Sequence, residues 1–168
     1  MSKAILVSIR PRYVTDILNR KKTIEIRKKC PTMFKDLKPY EALNQPVEVY
    51  IYCTLRPRVK DEFNNPKYNG LVVAKFKLHS VEEIKYDCMS DRYATDTLNA
   101  EQLLEQGCID QARLQKYLKS RSGYAWHISD LEILEQEKTL ADFKRIKDGE
   151  LVDLTRPPQS YFFIETED

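Results

Sequence analysis

The sequence predicts an α+β fold: a small, mostly antiparallel β-barrel with flanking helices and a helical insertion at residues 86–121. Three observations predict it. Five or six runs have strand character, and helices do not separate them at regular intervals, which argues against a doubly wound parallel sheet. Helical patterning is confined to the start, the insertion and a short stretch near the end. The chain has 168 residues, 42% hydrophobic and 10% aromatic, which suits one domain, 1–168, around one core.

AILVSI, residues 4–9, is a short apolar run of strand type. Pro11 suits the first turn of a helix, and Tyr13, Val14, Ile17 and Leu18 recur at helical spacing, with an end near Arg20. TIEIR then alternates, so Thr23, Glu25 and Arg27 point one way and Ile24 and Ile26 the other. A loop with Pro31, Pro39 and Pro46 precedes VEVYIYCT, residues 47–54, whose β-branched and aromatic content makes a strand. Residues 56–69 are polar and read as an exposed loop. Gly70 opens LVVAKFKLHSVEEI, expected as one long strand.

Residues 86–121 change character. Asn99 with Gln102 forms a capping box, and Gly107 is positioned to stop that short helix. Asp110 caps a second helix, with Ile109 and Leu114 spaced as a hydrophobic staple. GYAWHISDLEIL, residues 123–134, returns to strand. Residues 139–147 are expected as a short helix and SYFFIE, residues 160–165, as a closing strand.

Composition narrows the function classes. No apolar run approaches the ~20 residues that span a bilayer, and the N-terminal run is too short for a secretory signal, so a soluble, cytoplasmic protein with no membrane partner is expected. Cys30, Cys53, Cys88 and Cys108 are scattered and form no C-x-x-C pair, and His79 and His127 lie far apart. No metal site and no cofactor is expected from that pattern, and the thiols read as reduced. Net charge is only +2, but residues 1–60 carry 14 Lys/Arg against 5 Asp/Glu, and residues 61–168 carry 14 against 21. That asymmetry points to an anionic partner for the N-terminal third, or to ordinary solvated faces.

The chemistry concentrates in NRKKTIEIRKK, residues 19–29, where one carboxylate sits among six basic residues. Glu25 and Arg27, two apart on a strand, can pair directly, and Lys22 at the junction can turn toward them. A nearby cation favours a neutral amine able to act as base or nucleophile, whereas a glutamate holds it charged. Lys22 and Glu25 are therefore candidate proton-transfer groups, and Lys22 is equally a phosphate contact. The alternative is an ion-paired strand face of surface type, worth little energetically.

KTIEIR, residues 22–27, resembles the G-x-K-x-x-E-x-R signature of ASCH domains, members of the PUA-like superfamily. Lys22, Glu25 and Arg27 fill its charged positions, and Arg20 stands where the signature has glycine. The preceding ILVSIRPRYVTDILNRKKT resembles the family's opening element. YAWHISDLEIL and TRPPQSYFFIE resemble late strands of its phage and bacterial members, so a prophage source fits; residues 86–121 fall outside the likeness. The resemblance implies a PUA-like β-barrel with a cleft into which the trio projects, and an RNA-, nucleoside- or nucleotide-binding role. In one bacterial branch, similar to K-T-I-T-I-R, a threonine nucleophile activated by the lysine hydrolyses N4-acetylcytidine. Glu25 stands in place of that threonine, and Thr23 lies one step earlier. Another branch is associated with metal-dependent RNA cleavage.

Further candidates surround this motif. Trp126 and His127 adjoin on a strand and face opposite sides; the tryptophan can pack in the core or stack on a base, and the histidine can transfer protons. Arg156, Gln159 and Ser160 flank a stiff Pro157-Pro158 step and can reach phosphate or base edges. Ser8 and Arg10 end the first strand. Three functions follow: RNA or nucleotide binding, hydrolysis of an acetylated nucleoside or of RNA, and a protein interaction through residues 86–121.

Overall fold

The computed structural model describes residues 2–37, 42–55 and 68–166. Pro39 and most of the loop expected at 56–69 lie outside the described residues; Tyr68 and Asn69 lie within them. In chain order the elements are β1 (Ser2–Ile9), α1 (Pro11–Leu18), β2 (Ile24–Arg27), β3 (Val47–Cys53), β4 (Val72–Leu78), β5 (Val81–Asp87) and β6 (Arg92–Ala94). There follow α2 (Ala100–Gly107), α3 (Gln111–Leu118), β7 (Gly123–His127), β8 (Ser129–Lys138), β9 (Lys144–Lys147), β10 (Glu150–Asp153) and β11 (Tyr161–Thr166). The architecture is α+β and mostly antiparallel, as expected, with eleven strands among the described residues where five or six were anticipated.

The chain forms two compact units, one of Met1–Leu18, Val47–Lys77 and Asp130–Asp168, the other of Asn19–Pro46 and Leu78–Ser129. The first holds a seven-stranded sheet in the order β10-β9-β11-β1-β3-β4-β8. β1 is central, antiparallel to β11 and parallel to β3. A central strand covered on both faces has no polar side, which is why AILVSI reads as a continuous apolar run. Ile5, Leu6 and Val7 are fully buried, and Ala4, Leu6, Tyr50, Tyr52, Val72, Phe143 and Ile164 form one core cluster. Val14 and Ile17 supply the buried stripe of α1.

The second unit is a four-stranded sheet, β2-β7-β5-β6, with α2 and α3 on one face. Alternation sorts its residues. Ile24, Ile26, Ile84 and Ala125 pack with Leu103, Leu114 and Leu118, while Glu25, Arg27 and Trp126 belong to the opposite face. The helix caps follow the sequence: Asn99 and Gln102 form the capping box, and Asp110 accepts from the Arg113 amide at 2.8 Å. Leu114 is buried and Ile109 packs against the same cluster, completing the staple. The stop differs. Cys108, with φ 50°, is the left-handed C-cap, and Gly107 is still helical.

Four expectations are corrected. The long strand opened by Gly70 is two strands, β4 and β5, which belong to different sheets, and residues 123–134 divide likewise into β7 and β8. Alternation continues through both breaks, so periodicity alone cannot reveal them. Residues 86–121 are not helical throughout, because β5 runs to Asp87 and pairs with β6 before α2 begins. Residues 139–147 form a single 3-10 turn, Leu140–Asp142, followed by β9. Asp148 and Gly149, at φ 52° and 81°, then turn the chain into β10, as an Asp-Gly hairpin demands.

Burial also decides thiol chemistry. Burial pushes the Cys53 thiol up to about 11 and raises that of Cys30, against an opposing effect of Lys35; Cys88 is exposed. At pH 8 a disulfide reagent is expected to label Cys88 rapidly and Cys30 and Cys53 only after denaturation. The folded Cys53 holds its proton more tightly than the unfolded chain, so its contribution is full below pH 9.0 and is lost as pH rises toward about 11. A Cys53→Ala variant should lose stability less steeply over that alkaline window.

Candidate functional site

The site starts at the α1-to-β2 junction. Arg20 has φ 60°, the left-handed conformation that glycine adopts freely and that costs other residues about 1–2 kcal/mol. The arginine thus keeps the turn that the glycine of the resembled signature provides. Next, the Thr23 amide donates to Gln106 O at 2.9 Å and the Ile128 amide to Thr23 O at 2.9 Å. These bonds tie the start of β2 to the end of α2 and to the end of β7.

Lys22 is turned inward by this anchoring. Its Nζ donates to Ile24 O at 2.6 Å and to Gly107 O at 2.9 Å, and lies 3.7 Å from Glu25 Oε2. Gly107 O belongs to the last turn of α2, where carbonyls lack helical partners and a cation is favoured by the helix dipole. The approach needs glycine: a Cβ at position 107 would stand 2.9 Å from Ile26 Cδ1. Arg27 Nη1 lies 3.6 Å from Glu25 Oε1, so each oxygen of the carboxylate faces one cation. Lys22, Glu25 and Arg27 are only 4%, 5% and 9% exposed, which rules out an ordinary solvated strand face.

This geometry separates roles. Two carbonyls accept from the Lys22 amine and Glu25 Oε2 lies 3.7 Å away, beyond hydrogen-bond reach, so backbone oxygens hold the amine in place as a fixed donor. Thr23 is exposed while Lys22 is buried, so no lysine–threonine nucleophile pair is built. Glu25 Oε2 is buried and makes no hydrogen bond. It is an acceptor with capacity to spare, suited to an amine or the donor edge of a base.

The remaining candidates divide between the units. Trp126 pairs with Glu25 across the strands, but its indole is wholly buried and Nε1 donates to Lys29 O at 3.1 Å, leaving no ring surface open for a base. His127 pairs with Ile24 and belongs to the helix-bearing face, opposite the trio. In the other unit, Ser8 Oγ donates to Pro158 O at 2.7 Å and the Ser8 amide to Ser160 O at 3.1 Å, so Ser8 and Ser160 meet around the Pro-Pro step. Arg10, Arg156 and Gln159 are exposed.

Sequence reasoning missed Glu82 and Thr97. Glu82 is 2% exposed; Oε2 lies 2.6 Å from His127 Nε2, and Thr97 Oγ1 donates to Oε1 at 2.6 Å. A buried carboxylate held from both sides orients the imidazole, which is the support a proton-transferring histidine needs. Nothing near Glu82 in the sequence signals this, because its partner lies 45 residues away. Among the described residues no group of three or more His, Cys, Asp or Glu is arranged to hold a metal, and no helix is long and apolar enough to cross a membrane.

No family model matches the chain, and no curated protein does. Solved structures do. The crystal structure of ASCH from Zymomonas mobilis aligns with TM-score 0.55 and 14% identity, over 96% of this chain and 87% of that one. A mutant of the Zymomonas mobilis protein aligns with TM-score 0.51 and 15% identity, over 98% and 91%. Eleven strands in two sheets among the described residues, the Lys-Glu-Arg cluster at the start of the short strand and near full-length superposition give one conclusion: the chain has the ASCH-domain fold.

Proposed function

We propose that the protein binds RNA or a nucleotide, and that Glu25 and Arg27 recognise a base or phosphate while Lys22 holds Glu25 in place. The observation that carries the reading is the spare acceptor: Glu25 Oε2 is buried, 3.7 Å from Lys22 Nζ, and makes no hydrogen bond. Such a group costs stability unless something completes it, and a base amine does so. The likeness to ASCH structures supports a nucleic-acid ligand. Isothermal titration with a panel of nucleoside monophosphates tests the reading. Glu25→Gln should weaken binding by about 2 kcal/mol, roughly 30-fold, the range of a hydrogen bond to a charged group. No nucleotide binding at millimolar concentration, or equal binding by Glu25→Gln, would discard it.

A hydrolase is the second reading, favoured by one observation, the imidazole of His127 oriented by Glu82. In that reading His127 takes a proton from an attacking water. Incubation with acetylated cytidine decides: product formed by the wild type and lost in Glu82→Gln supports hydrolysis, and no product leaves binding alone.

A further inference from the structure

The cations of the second unit fall into two sets. Lys22, Arg27, Lys85, Arg92 and Arg113 each have a carboxylate oxygen within 4.0 Å. Arg20, Lys21, Lys28, Lys29, Lys35, Lys116, Lys119 and Arg121 are exposed and make no ion pair among the described residues. Four of this second set, Lys28, Lys116, Lys119 and Arg121, come from segments that meet. Lys28 Nζ lies over the Tyr117 ring, 4.8 Å from its centroid, which joins the end of β2 to α3. A Cβ on Gly123 would stand 2.7 Å from Leu118 Cδ2 and 3.3 Å from Arg27 O, so the end of α3, the start of β7 and the end of β2 converge. Lys119 and Ser120, at φ 54° and 62°, bend the chain there, and the Arg121 amide donates to Leu118 O at 3.0 Å. Leu114 and Leu118 bury one side of α3, which leaves Lys116 on the outer side. The acidic cap Asp110 is at the far end of this eight-residue helix, about 12 Å away.

A helix C-terminus attracts cations for its own dipole. That accounts for Lys116, the basic residue of the last turn. It does not account for Lys28, which comes from another element, or for Arg121, which lies beyond the helix end. We infer that Lys28, Lys116, Lys119 and Arg121 form a contact surface for the sugar-phosphate backbone of single-stranded RNA. The inference rests on the nucleic-acid reading above and extends it from one nucleotide to a chain. Tyr117 fixes Lys28 through a cation–π contact, so less side-chain freedom is lost when a phosphate arrives. Four cations that make no ion pair complement a polyanion, whereas the paired cations of the unit are already neutralised. The surface comes from the region of the chain that falls outside the ASCH likeness of the sequence, apart from Lys28 at the motif's edge.

Binding of a fluorescein-labelled 12-nucleotide oligouridylate, followed by anisotropy at several salt concentrations, tests the surface. Each phosphate contact on a single strand contributes about 0.7 to the slope of log K against log salt. The triple variant Lys28→Gln, Lys116→Gln, Arg121→Gln should therefore lower that slope by about 2, with thermal unfolding and nucleoside monophosphate affinity unchanged. Lys85→Gln, which removes an exposed cation paired with Asp96, should leave the slope as it is. An unaltered slope in the triple variant overturns the inference, as does equal competition by polyglutamate, which would mark an acidic protein as the occupant. Absence of oligouridylate binding by the wild type also overturns it; monophosphate titration tests the trio independently, so the two failures are distinguishable.

Discussion

Replacing Lys22 with methionine should cost about 3–5 kcal/mol of stability, the penalty for removing one member of a buried charged cluster. The change removes the donor to Ile24 O and Gly107 O together and leaves Glu25 buried with Arg27 as its remaining cation. Chemical denaturation with urea measures the loss. The double variant Lys22→Met, Glu25→Leu should recover much of it, because an apolar replacement removes the stranded charge as well as the pair. A loss below about 1 kcal/mol for the single change, the range of solvent-exposed pairs, would mean that the cluster is solvated in solution. The cluster would then hold no fixed acceptor and the binding reading would fall with it.

Truncating Trp126 to alanine should cost a further-reaching 3–5 kcal/mol, the range for deleting a buried aromatic side chain. The ring is wholly buried on the trio's face and its Nε1 fixes Lys29 O, so the loss combines a cavity with an orphaned carbonyl. Trp126 is the one tryptophan of the chain, which makes its fluorescence a direct reporter. Native emission should be blue-shifted, resistant to acrylamide and unmoved by nucleotide. Quenching by a nucleoside monophosphate in the native state would instead make the indole a stacking platform, and the packing role given to it here would be wrong.

Much of the local structure was legible in the sequence. Pro11 and the Val14–Ile17 stripe marked α1, the Asn99–Gln102 box marked α2, Asp110 marked α3, and apolar, β-branched or aromatic runs marked β1, β3 and β11. These signals act over a few residues, through caps, φ preferences and side-chain period. The breaks after Leu78 and His127 were not legible, because the same alternation serves both flanking strands. The hairpin of β9 and β10 was missed although Asp148-Gly149 announced it, since each strand has only four residues and reads as well for a turn of helix.

The sequence by itself determined that an amine, a carboxylate and a guanidinium stand within six residues on one short strand and its approach. Only the tertiary structure decided what each of them does. Gly107 O reaches Lys22 from 85 residues away, and Glu82 meets His127 from 45. Burial then turns an ordinary-looking strand face into a fixed cluster with one acceptor left over. The physical reason is that local sequence sets backbone conformation and side-chain order, whereas desolvation and hydrogen-bond partners come from segments whose pairing no short stretch encodes.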